Sequence, residues 1–136
     1  MKIILTLLSA GIFCSAVFPQ QDDDLAKSIE RGKMVYSENC ITCHMGTGEG
    51  VTGTFPPLAK SDYFMPNPEN GIKAVKFGLM GKIKVNGVEY DNMMPNPGLG
   101  NDEIADVMNY IMNSWGNSSE KKMITEKMVE EIEEKK

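Results

Sequence analysis

Aromatic residues are scarce in this chain: they make up 7% of 136 residues, with a single tryptophan. A small core with so few rings must be filled by aliphatic side chains and some of the 11 methionines, or by a large buried cofactor. Histidine and arginine are scarcer, one of each, His44 and Arg31. That leaves little with which to build a polar cluster over an open metal position. Bases are outnumbered, 14 against 19 acids for a net charge of −5. With no basic patch, no partnership with nucleic acid is expected. No Gly-rich phosphate loop, catalytic triad or internal repeat occurs. The one long apolar run lies at the N-terminus and spans about 15 residues, short of the ~20 that cross a bilayer. Length implies one domain, and 41% hydrophobic with 24% charged residues is ordinary for a soluble globular protein.

That run opens "MKIILTLLSAGIFCSAVFPQQDDD", a lysine followed by apolar residues and then an acidic stretch. The pattern matches a secretory signal peptide over residues 1–21, cleaved between Ala16 and Gln21. The expected location is therefore exported and periplasmic, with no membrane span in the mature chain. Lipid modification of Cys14 wants small residues just before the cysteine, and Ile12 and Phe13 are bulky. A lipid anchor and an uncleaved anchor are the lesser alternatives.

Removing the leader leaves Cys40 and Cys43, in "NCITCHMG". A disulfide across so short a loop would constrain little of the unfolded chain. Zinc takes four ligands, and two cysteines with one histidine supply three. A thioredoxin-like pair normally follows a strand, and no strand precedes this motif. The remaining reading of C-x-x-C-H is covalent haem c, one per chain. The two thiols form thioethers with the haem vinyls and His44 ligates the iron. One helical turn brings both sulfurs to one edge of a porphyrin and leaves the imidazole over the metal.

Upstream, Leu25, Ile29, Gly32 and Tyr36 share one helical face, with Asp22 to Asp24 at the start where acids suit the helix dipole. Gly32 in mid-helix is costly by about 1 kcal/mol relative to Ala, and its place on the apolar face favours close packing of another backbone. The partner is "LGNDEIADVMNYIMNSWGN", with Ile104, Val107, Met108, Ile111, Met112 and Trp115 on one face. Gly100 or Asn101 caps it, Asp102 and Glu103 fill the first turn, and Gly116 stops it. Between these come an irregular loop, "GTGEGVTGTFPPLAKSD", and a helix in "NPENGIKAVKFGLMG" with Ile72, Val75 and Leu79 on one face. A hairpin follows in "KIKVNGVEY", turned at Asn86-Gly87. The proline-bounded loop "DNMMPNPGLG" comes last.

Over residues 24–116 the chain resembles a class I cytochrome c. Gly32 and Tyr36 precede Cys40 as that family's glycine and aromatic precede its haem motif. "FPPL" follows His44 where the family carries Pro-x-Leu, "MMP" resembles its Met-Pro ligand loop, and "DEIADVMNYI" resembles its terminal helix. "FPPLAKSDY", "GKIKVNG" and "NYIMNSWGN" further resemble haem c domains that accompany periplasmic oxidoreductases, notably copper nitrite reductases. The resemblance implies an all-α fold, three main helices around one covalent haem, with a short hairpin before the methionine loop. It also implies that the carbonyl of Pro56 accepts the second N–H of His44, that Leu58 borders the haem, and that Tyr110 packs near Gly32. Met94, just before Pro95, is the implied sixth ligand, with Met93, Met65 and Met80 as alternatives. The family's usual Ser or Thr cap on the last helix is replaced here by "GN".

With His44 and Met94 as metal ligands, the iron has no open position. The chain is then not an enzyme but carries single electrons to or from an oxidoreductase. The competing class is a haem enzyme or gas-binding protein with an open or labile sixth site. An acidic haem domain favours a redox partner with a basic docking surface. The haem domain is expected over residues 22–116. Residues 117–136 form a charged tail in which Thr125 can cap a short helix carrying Met128, Val129 and Ile132. Fraying of the tail in solvent is the expectation.

Overall fold

The computed structural model describes residues 20–120 and 122–134. The expected leader falls on residues outside these, apart from its last two positions, which belong to the first helix. Helix α1 runs Gln20–Asn39, and a single turn, α2, covers Ile41–His44. An irregular stretch leads to α3, Pro68–Phe77, and to a hairpin of β1, Ile83–Val85, and β2, Val88–Tyr90. Then come α4, Asn101–Met112, and α5, Glu126–Glu130. The described residues are thus mostly helical, with one two-stranded antiparallel sheet. No helix among them is long and apolar enough to cross a membrane.

The α1–α4 pair is the centre of the molecule. A Cβ built on Gly32 would lie 1.9 Å from the carbonyl oxygen of Asp106 and 2.9 Å from Tyr110 Cβ, so only glycine lets the two helices meet. Periodicity places Ile29 on the buried face, yet Ile29 is half-exposed and Ser28 is buried beside Leu25, Gly32 and Tyr36. The reason is polar. Ser28 Oγ donates to Asp106 Oδ1 at 2.6 Å, and Arg31 reaches the same carboxylate with Nε at 2.6 Å and a second guanidinium nitrogen at 2.7 Å. A buried carboxylate is tolerated only when paired and hydrogen-bonded, and the chain's one arginine serves that pairing. Helix α4 begins with Gly100 as its cap, whose N–H donates to the Glu103 side chain at 2.9 Å. It ends at Met112, before the residue expected to stop it. Asn113 caps it, and the chain then reverses through Trp115 and Gly116, both in the left-handed region.

The hairpin turns at Asn86 and Gly87, which have φ of 50° and 84°, and β1 pairs Ile83 with Tyr90 and Val85 with Val88. Both positive φ values are what a two-residue turn matched to strand twist requires.

The C-terminal segment does not fray in solvent. Ile124 and Val129 are buried in the core and Ile132 packs against it. Thr125 caps α5, its hydroxyl accepting from Met128 N–H at 3.3 Å. The decisive contact comes from α4. Asn109, fully buried, donates to the carbonyl of Ile124 and accepts from its N–H, both at 2.8 Å, and donates to Ser28 Oγ at 2.8 Å. An amide side chain in that position would be left unsatisfied without the segment, at a cost of about 1–3 kcal/mol. Near-neutral charge along the tail conceals this, because two apolar residues and one distant asparagine decide its position.

Replacing Gly32 by Ala inserts a methyl into a carbonyl oxygen. The expected destabilisation is about 1–3 kcal/mol or more, the overpacking cost. It is read as a lowered denaturant midpoint, and an unchanged midpoint would mean the helices do not meet there.

Candidate functional site

The C-x-x-C-H motif occupies the junction of α1 and α2. The chain turns at Cys40, whose carbonyl accepts from the N–H groups of Cys43 at 3.2 Å and His44 at 3.0 Å. Cys40 and Cys43 are half-buried and not joined by a disulfide, while His44 is buried. Burial, with Cys43 beside it, pushes the Cys40 thiol up to about 11. It is therefore protonated at neutral pH and unlike the low-pKa thiols of redox-active pairs.

Burial also holds the His44 imidazole below its usual value, partly opposed by a hydrogen bond to Pro56. Nδ1 lies 3.0 Å from the Pro56 carbonyl oxygen. A neutral ring that donates from Nδ1 keeps the Nε2 lone pair for a metal, the usual arrangement for a ligating histidine.

His44 faces two adjoining cavities that share Pro56, Leu79, Ile83 and Met94; Cys40 lines one and Cys43 the other. The cavity beside Cys40 has an almost wholly apolar lining, with Leu58 from the proline loop, Val75 from α3, Val85 from β1 and Met108 and Ile111 from α4. Among the described methionines, Met94 alone lines both cavities. Met93 borders the second and is 64% exposed. Met80 is 79% exposed at a surface groove, and Met65 faces a separate groove under the C-terminal segment. The Met94 backbone exchanges two hydrogen bonds with Leu79, both 2.9 Å, which ties its loop to the end of α3.

Several groups outside the cleft position the motif. Burial pushes the Tyr36 phenol up, so it stays protonated and donates to the Met45 carbonyl at 2.6 Å, just after the histidine. Tyr36, Tyr110 and Trp115 form a ring triangle with centroids 5.0–5.4 Å apart. Asn117 donates to the carbonyls of Leu58 at 3.0 Å and Ile111 at 2.8 Å and accepts from Lys60 N–H at 2.6 Å. It joins the proline loop to α4. Only the three-dimensional fold brings the partners of Asn117 together, so no motif marks it.

Residues 29–115 match the family described as Cytochrome c. The chain belongs to the cytochrome c family. A cytochrome c-552 of Thermus thermophilus is 34% identical over 113 residues, covering 79% of this chain and 76% of that protein. Cytochrome c6 of Porphyra purpurea is 30% identical over 113 residues, 82% of this chain and 92% of that protein. The cytochrome c subunit of alcohol dehydrogenase (quinone) from Gluconobacter oxydans is 36% identical over 97 residues, which are 65% of this chain but 19% of that subunit. As a cytochrome c domain, the chain binds one covalent haem c and works in electron transfer.

The residues present fit that cofactor. Two thiols, a neutral buried imidazole and a thioether converge on an apolar cleft of the kind a porphyrin face requires.

Asn117→Ala should lower stability by about 1–3 kcal/mol, since it leaves buried backbone groups unpaired. It should also speed hydrogen exchange at the Lys60 amide. Unchanged exchange there would show that Asn117 does not hold the proline loop.

Proposed function

We propose that this cytochrome c is an exported, periplasmic class I monohaem carrier that passes single electrons to or from an oxidoreductase. Cys40 and Cys43 would anchor the haem, and His44 and Met94 would hold its iron. The observation that carries this reading is that His44 and Met94 line the same apolar cleft as the two thiols. When bound, haem supplies a one-electron couple. The chain's own work is positioning. The Pro56 carbonyl orients His44 and makes it more basic, while Leu58 and Val75 keep water from the cleft. Pro95 restricts Met94 to an extended backbone, which aims its side chain reproducibly. Held by both side chains, the iron would offer no site for substrate, and a thioether ligand would raise its potential. The apolar lining gives no support to a haem-enzyme reading, since acid–base chemistry at an open position needs polar groups.

Similarity to a dehydrogenase cytochrome c subunit supports an oxidoreductase as partner. The whole chain carries a net −5, and loss of Lys2 with the leader makes the remainder one unit more acidic. Such a surface favours a partner with a basic docking face.

In the ferric holoprotein, Met94→Ala should abolish the weak long-wavelength sulfur-to-iron absorption band, and its ferrous form should bind carbon monoxide rapidly. Met93→Ala should leave both properties as in the wild type. The reverse pattern would move the ligand to Met93, and rapid carbon monoxide binding by the intact Met-ligated protein would contradict the carrier role. Electron exchange with a cationic redox partner should slow as salt rises, because steering is screened within a Debye length of about 8 Å at physiological ionic strength. A flat salt dependence would remove the basic docking face and leave the carrier role standing.

A further inference from the structure

The loop that presents Met94 is tied to the C-terminal segment through one side chain. Lys76 lies in the last turn of α3. Its ammonium donates to the backbone carbonyls of Val129 at 2.7 Å, Ile132 at 2.9 Å and Glu130 at 3.3 Å. An ammonium has three protons, and all three are spent on the end of α5. The backbone carbonyl of Lys76 in turn accepts from Asn96 Nδ2 at 2.9 Å, and Asn96 follows Pro95 in the methionine loop. Next along the chain, Gly78 approaches the same loop so closely that a Cβ there would lie 2.8 Å from the Met94 carbonyl oxygen and 3.1 Å from Asn96 N. The two Leu79–Met94 backbone hydrogen bonds complete the joint. Glu134, at the far end of the segment, borders one surface groove together with Met80, Met93 and Met94.

We propose that the C-terminal segment is a strap that holds the Met94 loop closed over the iron, and that Lys76 is the positioning residue through which it acts. The proposal rests on the reading of Met94 as the axial ligand. The Met94 loop opens only if it parts from the end of α3 or that end moves with it, because its backbone is bonded there. A helix end is the part most prone to fray, because its carbonyls lack partners in the helix. Asn96 satisfies one such carbonyl from the loop side. From the other side, the Lys76 ammonium ties the same turn to α5, which is anchored by the buried Val129. Hydrogen bonds from an ammonium are about twice as strong as neutral ones, so one side chain suffices to bias the opening of a short loop.

The test uses the full-length holoprotein and four variants: Lys76→Met, Lys76→Arg, Val129→Ala and the Lys76→Met/Val129→Ala pair. The readouts are the carbon monoxide association rate of the ferrous form, the sulfur-to-iron band of the ferric form, and hydrogen exchange at the Leu79 and Met94 amides. Lys76→Met keeps the aliphatic stem and removes the ammonium. It should speed carbon monoxide binding and exchange at both amides about ten-fold, the scale of a lost charge-assisted hydrogen bond. Val129→Ala should act in the same direction and, combined with Lys76→Met, add little, because both loosen one strap. Lys76→Arg should stay near the wild type. Val129→Ala reads the strap alone if Lys76→Met yields no holoprotein. A lowered denaturation midpoint with unchanged association rate and unchanged exchange would overturn the proposal, since that is what a merely structural strap does. Absence of the band in the wild type would instead overturn the Met94 reading. Exchange at the two amides then judges the strap: faster in the variants supports it, and unchanged overturns it.

Discussion

The contact on which the rest of the molecule depends is the approach of α1 to α4 at Gly32, where a carbonyl oxygen of α4 occupies the space of the missing side chain. Helices brought that close cannot be held by apolar side chains alone, because backbone polar groups are carried into the interface with them. Ser28, Arg31 and Asn109 supply the polar complement, and each of them bonds across the helix pair. Asn109 then extends the same network to the C-terminal segment. One glycine thus fixes a helix pair, and the pair's polar seam fixes where the C-terminal segment docks.

The site inherits its geometry from this pair. The thiol and imidazole motif continues directly from the end of α1, so the position of α1 sets the position of His44. Met108 and Ile111 of α4 form part of the cleft wall. Tyr36, one buried side chain of α1, packs at a tilt against Tyr110 and Trp115 and donates to the carbonyl beside His44. Asn117 carries the proline loop to α4 and with it the carbonyl that orients the imidazole. The position of His44 and of the proline loop is therefore set in part by Tyr36 and Asn117, which do not line the cleft.

Much of this can be read from the chain, because local signals suffice where local physics decides. The C-x-x-C-H spacing, the Asn86-Gly87 turn, the apolar face of α4 and the Thr125 cap are each legible within a few residues. Gly32 is legible because a glycine on an apolar helical face weakens its own helix and is tolerated where another backbone comes close. Ser28 is not, since periodicity ranks residues by hydrophobicity and a buried serine is justified only by Asp106 and Asn109, 78 and 81 positions away. The docking of the C-terminal segment is hidden for the same reason. Its anchor is an asparagine in another element, and its own sequence reads as mixed charge. Asn117 and Lys76 are polar residues whose bonds run to backbone carbonyls, which have no identity in a sequence. The hidden part of the site is its polar support, and the readable part is the chemistry it supports.

The central claim is that Met94 and His44 hold the same iron. Proton NMR of the ferrous holoprotein with isotopically labelled methionine methyl groups tests it most directly. A methyl held against the face of a haem is shifted strongly upfield by the ring current, while the other methionine methyls are not. With Met94 on the iron there is one such resonance, lost in Met94→Ala and retained in Met93→Ala. No upfield methyl in the wild-type protein, or one that survives Met94→Ala, would contradict it.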